Sequence, residues 1–183
     1  MNDRSIHPNT RILIDAWRRM SASPVANAVD DPRVAEHPDL ITQLFVVQHS
    51  PGRGWMFRTA GQGLCDLLGR ELTNHDFLEL WTGPDRFMMA HFMEAIRYDG
   101  APGVIRGRGE TLAGKRVEVE ITLMPLVRAG ALNDTPRLLG LYQTLGGEPM
   151  LGGRPVWRHR ISMLVPPDTR VEGCQLRLVA SNA

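Results

Sequence analysis

Residues 57–81, FRTAGQGLCDLLGRELTNHDFLELW, decide how this chain folds, because they run from a strand end through a glycine entry into two short helical stretches. Leu64, Leu67 and Leu68 share one helical face over residues 61–68, and Gly69 supplies the left-handed conformation that ends such a helix. Residues 74–81 predict a second short helix that buries Phe77, Leu78 and Trp81. The large side chains recur where a small cavity needs walls, and the charges fall at turns. The stretch therefore reads as part of a module that holds or docks something, and nothing in it looks catalytic.

Outward from this segment the pattern changes period. Upstream, residues 40–49 are rich in Leu, Ile, Phe and Val, the run Ser50-Pro51-Gly52-Arg53-Gly54 breaks them, and residues 55–59 resume, which predicts a hairpin. Downstream, Pro84 opens a longer helix with Asp85 in its first turn, Arg97 in its last and Gly100 just beyond. Met89, Phe92, Met93 and Ile96 form the stripe of that helix that should face a sheet. Residues 116–123 alternate strictly, with Val117, Val119, Ile121 and Leu123 on one face. If Leu112-Ala113-Gly114 is a loop with Gly114 left-handed, Glu110 opposes Arg116, Arg108 opposes Glu118 and Arg106 opposes Glu120. That register turns Gly107 and Gly109 inward and leaves room for a helix or ligand to approach.

Residues 136–145 supply a last strand. Near the N-terminus, Asn9 or Thr10 caps an amphipathic helix through Met20, with Leu13, Ala16, Trp17 and Met20 on one face. The segment SASPVANAVDDPRVAEHP then reads as an irregular connector. PVWRHRISMLV and CQLRLVAS are candidate short strands of the tail. The expected organisation is an N-terminal helix and connector over 1–39, a domain over 40–147 and a C-terminal extension over 148–183. Two strands, several helices and three strands make an α+β fold, an antiparallel sheet with helices over one face.

At 183 residues the chain suits one domain with its own core, and 43% hydrophobic with 22% charged residues is a globular composition. A formal net charge of +1 gives no general pull toward nucleic acid or anionic membrane. Charges interrupt the first twenty residues, and no later run offers about eighteen apolar residues, so a cytoplasmic location without membrane insertion is expected. Cys65 and Cys174 form neither a CxxC pair nor a zinc pattern, and two reduced thiols with no metal site are expected.

The segments FRTAGQGLCDLLGREL, FLELW, GETLAGKRVEVEITLMPL and LLGLY together resemble the PAS sensory fold, in particular small bacterial PAS proteins carrying an LCxLLGREL-type motif. The resemblance covers residues 17–142. It implies a five-stranded antiparallel sheet with a helical pocket, used for ligand sensing, dimerisation and docking to signalling partners. It implies no particular ligand, since PAS pockets elsewhere hold haem, flavin or small metabolites.

Competing motifs fail on their own chemistry. GETLAGK matches a phosphate-binding loop until Arg116 replaces the magnesium-binding hydroxyl, and RVEVEITL continues as a strand where that motif needs a helix. Asp66 stands where a dinucleotide fingerprint needs its third glycine. The resemblance brings a haem reading through His91, on the corresponding long helix, but this residue lies about 140° from the apolar stripe, so haem is not expected. Cys65 sits outside the motif of a photoactive flavin domain. No GxSxG or HExxH occurs.

The candidate ligand pocket comprises Phe45, Trp55, Phe57, Leu64, Leu68, Phe77, Trp81, Met89, Phe92 and Met93, which equally suit a small apolar ligand or a core that fills itself. The candidate interaction surface comprises Leu13, Trp17 and Met20 on the first helix and Arg106, Arg108, Glu118 and Glu120 on the sheet. The tail adds a basic stretch, Arg154, Arg158, His159 and Arg160, read as surface charge. The expectation is a non-catalytic PAS module, with no cofactor, that regulates a histidine kinase or another regulator and forms a homodimer through the first helix. The alternatives are a haem- or flavin-bearing sensor and a small-molecule enzyme using Asp66, Asp76 or Glu79 as base.

Overall fold

The alternation of residues 116–123 and the charges opposite them produce a long hairpin. Strands β3 (Gly103–Thr111) and β4 (Arg116–Leu126) pair antiparallel in the expected register: Glu110 with Arg116, Arg108 with Glu118 and Arg106 with Glu120. Gly114 takes φ 76°, the left-handed conformation that the loop requires. The computed structural model describes residues 6–21, 37–126 and 135–166. Within them β1 (Leu44–Ser50), β2 (Gly54–Ala60), β5 (Arg137–Thr144) and β6 (Val156–Val165) complete a six-stranded sheet in the order β2-β1-β5-β4-β3-β6, every pair antiparallel.

The five expected strands all form, and the sixth comes from the tail segment PVWRHRISMLV, which pairs along β3. The inward space at Gly107 and Gly109 is taken by this strand: a Cβ on Gly107 would collide with the Arg160 carbonyl, and one on Gly109 would lie 2.7 Å from Val156 Cγ1. The connector at 22–36, the loop at 127–134 and CQLRLVAS at 174–181 lie outside the described residues.

Helix α1 (Pro8–Ser21) lies on one face of the sheet. The other face carries α3 (Gln62–Leu68), a 3₁₀ turn η1 (Phe77–Leu80) and the long α4 (Pro84–Asp99). Two single-turn helices, α2 (Pro38–Ile41) and α5 (Glu148–Leu151), precede β1 and β6. The first strand starts at Leu44 rather than Leu40, because Pro38 and Asp39 favour a helix start. The helix expected over 74–81 shrinks to η1: Asn74 has φ 67°, outside helical space, and the Asp76 carboxylate accepts the Leu78 N–H at 2.9 Å as a cap. Gly69 and Gly100, at φ 65° and 63°, end α3 and α4 as their sequence positions predict.

These elements bury two separate apolar clusters on opposite faces of one sheet. The larger joins all six strands to α3, η1, α4 and α5, and the smaller joins Leu13, Ile14 and Ala16 of α1 to Leu40, Leu44, Met124, Leu139 and Leu141. No helix among the described residues is long and apolar enough to cross a membrane.

Candidate functional site

The inner face is built around aromatic rings supplied by different elements. Phe45 of β1, Phe57 of β2 and Phe77 of η1 meet with centroids 5.3 to 5.5 Å apart, and Trp81 stands edge-on to Phe77 at 5.1 Å. Phe45 reaches this position because Gly140 lies directly opposite it on β5, where a Cβ would collide with the ring. The stripe of α4 closes the cluster with Met89, Phe92, Met93 and Ile96, and α3 adds Leu64 and Leu68. All ten candidate pocket residues are buried and lie in this one cluster. Its centre is occupied by rings in mutual contact, an arrangement worth about 1 kcal/mol per pair beyond the area buried. His91 is exposed on α4, away from these rings. Burial pushes the Cys65 thiol above its usual range, partly opposed by a hydrogen bond from Leu72, so the thiol packs in its neutral form.

A buried polar pair, absent from the sequence reading, sits at one end of the cluster. Tyr142 of β5 and His159 of β6 are each about 1% exposed, with Tyr142 Oη and His159 Nε2 2.7 Å apart. His159 Nδ1 lies 3.3 Å from the Leu80 carbonyl, which only accepts, so Nδ1 carries the proton. It follows that Nε2 accepts from the Tyr142 hydroxyl, and both ring nitrogens of a neutral imidazole are satisfied. Burial pulls the imidazole down from 6.5 to about 4, opposed by the bond to Leu80, and pushes the Tyr142 phenol far above its ordinary range. Trp81 packs on the same imidazole, at 5.5 Å, and its backbone bridges to His159. Strand β6 is thus tied to the turn that carries Phe77 and Trp81.

His159 stands in sequence between Arg158 and Arg160, which suggests surface charge. The structure corrects that reading through a bulge: Glu110 pairs with Arg158 while the next residue, Thr111, pairs with Val156, leaving Trp157 as the extra residue. Val156 and His159, of opposite parity in sequence, consequently both face inward. A polar residue flanked by arginines beyond an apolar valine was the available signal, and simple alternation hides it.

On the outer face, four donors converge on Glu120, which is fully buried. Its Oε1 accepts from the His7 backbone N–H at 2.9 Å and the Thr10 hydroxyl at 2.7 Å, and its Oε2 from Arg106 Nε at 2.9 Å and Nη2 at 2.8 Å. Thr122 meets the Thr10 hydroxyl at 3.1 Å, and Trp17 Nε1 donates to the Pro125 carbonyl at 2.8 Å. Thr10 lies within α1 and ties it to the sheet instead of capping it. Of the candidate interaction residues, Leu13 and Glu120 are therefore interior, Trp17 and Arg106 half-buried, and Arg108 and Glu118 exposed. The Met20 side chain lies outside the described residues. The apolar stripe of α1 is spent on its own sheet, so a second copy would compete with this packing to use it.

A sequence model of the PAS domain family matches residues 5–143. The fold is similar to a light-oxygen-voltage domain studied with a flavin analogue, at 13% identity over 69% of this chain and 93% of that chain, with a TM-score of 0.48. It is similar also to the PAS domain of BvgS from Bordetella pertussis, at 14% identity over 66% of this chain and 92% of that chain, with a TM-score of 0.43. No curated protein matches the chain. The family match stops before β6 and its inward histidine.

Proposed function

Since this chain belongs to the PAS domain family, we propose that it is a non-catalytic sensory and interaction module that regulates a signalling partner, a histidine kinase or another regulator. The proposal includes membership of the small bacterial PAS proteins, on the likeness of LCDLLGREL, and a cytoplasmic location, on the charges that interrupt the first twenty residues.

The observation that carries the reading is the shared sheet: β1, β4 and β5 send Phe45, Ile121 and Tyr142 to the inner cluster, and Leu44, Met124 and Leu141 to the cluster under α1. A small apolar ligand that displaced α4 methionines would shift strands on which α1 also rests. It biases α1 only to the extent that it binds the two arrangements unequally. The face that α1 leaves or reshapes is the surface offered to the partner.

The test has two parts. Native and denaturing mass spectrometry of the intact protein should show a stoichiometric mass lost on unfolding if a ligand gates the module; bare chain alone in both spectra removes the ligand from the proposal. A kinase captured with the chain as bait and purified should change its autophosphorylation rate when the chain is added. An unchanged rate with the captured kinase contradicts the regulatory role.

A further inference from the structure

Outside the inner cluster, positive charge gathers where β3, β4 and β6 run side by side. Arg108, Glu110, Arg116, Arg158 and Arg160 line an open cleft of about 180 Å³ there. Four guanidinium groups face a single lining carboxylate. Glu110 Oε2 accepts from Arg158 Nε at 3.1 Å and Nη2 at 3.0 Å, and Glu110 Oε1 lies 3.6 Å from Arg116 Nε, so one carboxylate serves two arginines. Arg160 stands 3.6 Å from Asp85 Oδ2, an oxygen that also accepts the Ile161 N–H at 3.3 Å. Arg108 makes no ion pair among the described residues; Glu118 opposes it on β4 without closing a bridge.

The register sharpens this imbalance. Arg108 sits directly across from Arg160, and like charges directly opposite on adjacent strands repel, at Cβ separations of about 5 Å. An anion between the two forks turns that repulsion into two attractions. Planar guanidinium groups pair with oxyanions through parallel N–H bonds, and a doubly charged tetrahedral group has acceptor oxygens enough for both Arg108 and Arg160. The volume falls below the roughly 300 Å³ at which pockets begin to enclose drug-sized molecules, so the cleft grips a group rather than a whole organic ligand.

We propose that this cleft is an oxyanion site that takes a phosphate group, free or as the terminal group of a small phosphomonoester, between Arg108 and Arg160. It lies on the sheet face opposite the aromatic cluster and stands independently of the ligand reading given above.

The experiment is an NMR titration of the full chain with inorganic phosphate and, separately, phenyl phosphate, following arginine Nε–H signals at constant ionic strength set with chloride. Both anions should shift the Arg108 and Arg160 signals saturably. Equal affinities identify the free anion as the ligand, and tighter binding of phenyl phosphate identifies a carried phosphate. R108Q and R160Q should each weaken binding at least about tenfold, the loss expected for charge-assisted hydrogen bonds. R53Q, in the exposed turn at the opposite edge of the sheet, should leave it unchanged. Shifts of equal size with chloride alone, or equal weakening by R53Q, would overturn the site, as would unaltered affinity in R108Q and R160Q.

Discussion

Lowering the pH from about 7 to about 5 loads a proton onto histidines in unfolded chains, whose imidazoles titrate near 6.5, while His159 in the folded protein takes one only near about 4. Between those two values protonation favours the unfolded state. The contribution of His159 is thus fully present above 6.5 and is lost as the pH falls toward 4. Each pH unit in that window is worth about 1.4 kcal/mol, so about 2 kcal/mol disappears by pH 5 and about 3 kcal/mol by pH 4. Urea unfolding followed by tryptophan fluorescence at several pH values measures the slope, and H159Q, which keeps a hydrogen-bonding side chain, removes it. Carboxylates shared by both proteins cancel in the comparison. Should H159Q fail to fold, the imidazole carbon shift of folded wild-type protein reports the same quantity. Parallel stability lines for the two proteins between pH 7 and 5, or a folded imidazole titrating near 6.5, would refute the buried, neutral His159.

Other perturbations follow from single contacts. Glu120→Ala removes the acceptor shared by His7, Thr10 and Arg106 and leaves the guanidinium facing a gap, at a cost of about 3 kcal/mol; hydrogen exchange should quicken first in residues 8–21, and unchanged exchange there would contradict the tether. Gly140→Ala should lower stability by about 2 kcal/mol through overpacking against Phe45, read as a shifted urea midpoint, and a neutral effect would mean that the ring moves aside freely. Cys65 should resist iodoacetamide in the folded protein and react on unfolding, by peptide mass; rapid native labelling would contradict its buried, neutral thiol.

What the sequence revealed depended on how local the determinant was. The β3–β4 register was legible because three charge pairs and one glycine turn all pointed to it within fifteen residues or so. The ends of α4 were legible from Pro84 and Gly100. The ten wall residues could be gathered because helical and strand periods each mark a buried face. By contrast, Glu120 looked like one more outward charge of an alternating strand. Its burial depends on Thr10 and His7, more than a hundred residues away, and no local pattern encodes that meeting. His159 was hidden by the bulge at Trp157, which breaks the parity on which strand reading rests. Whether the aromatic cluster opens for a ligand is set by small volume differences among tightly packed rings, a quantity that residue types alone do not carry.

The most direct test of the central claim, that the inner cluster and α1 communicate through the sheet they share, is a double-mutant cycle between Met93→Ala on α4 and Leu13→Ala on α1. The two side chains belong to separate clusters on opposite faces, so without transmission their effects should add to within about 0.5 kcal/mol. Coupling above that level is the predicted result, and strict additivity would contradict the account.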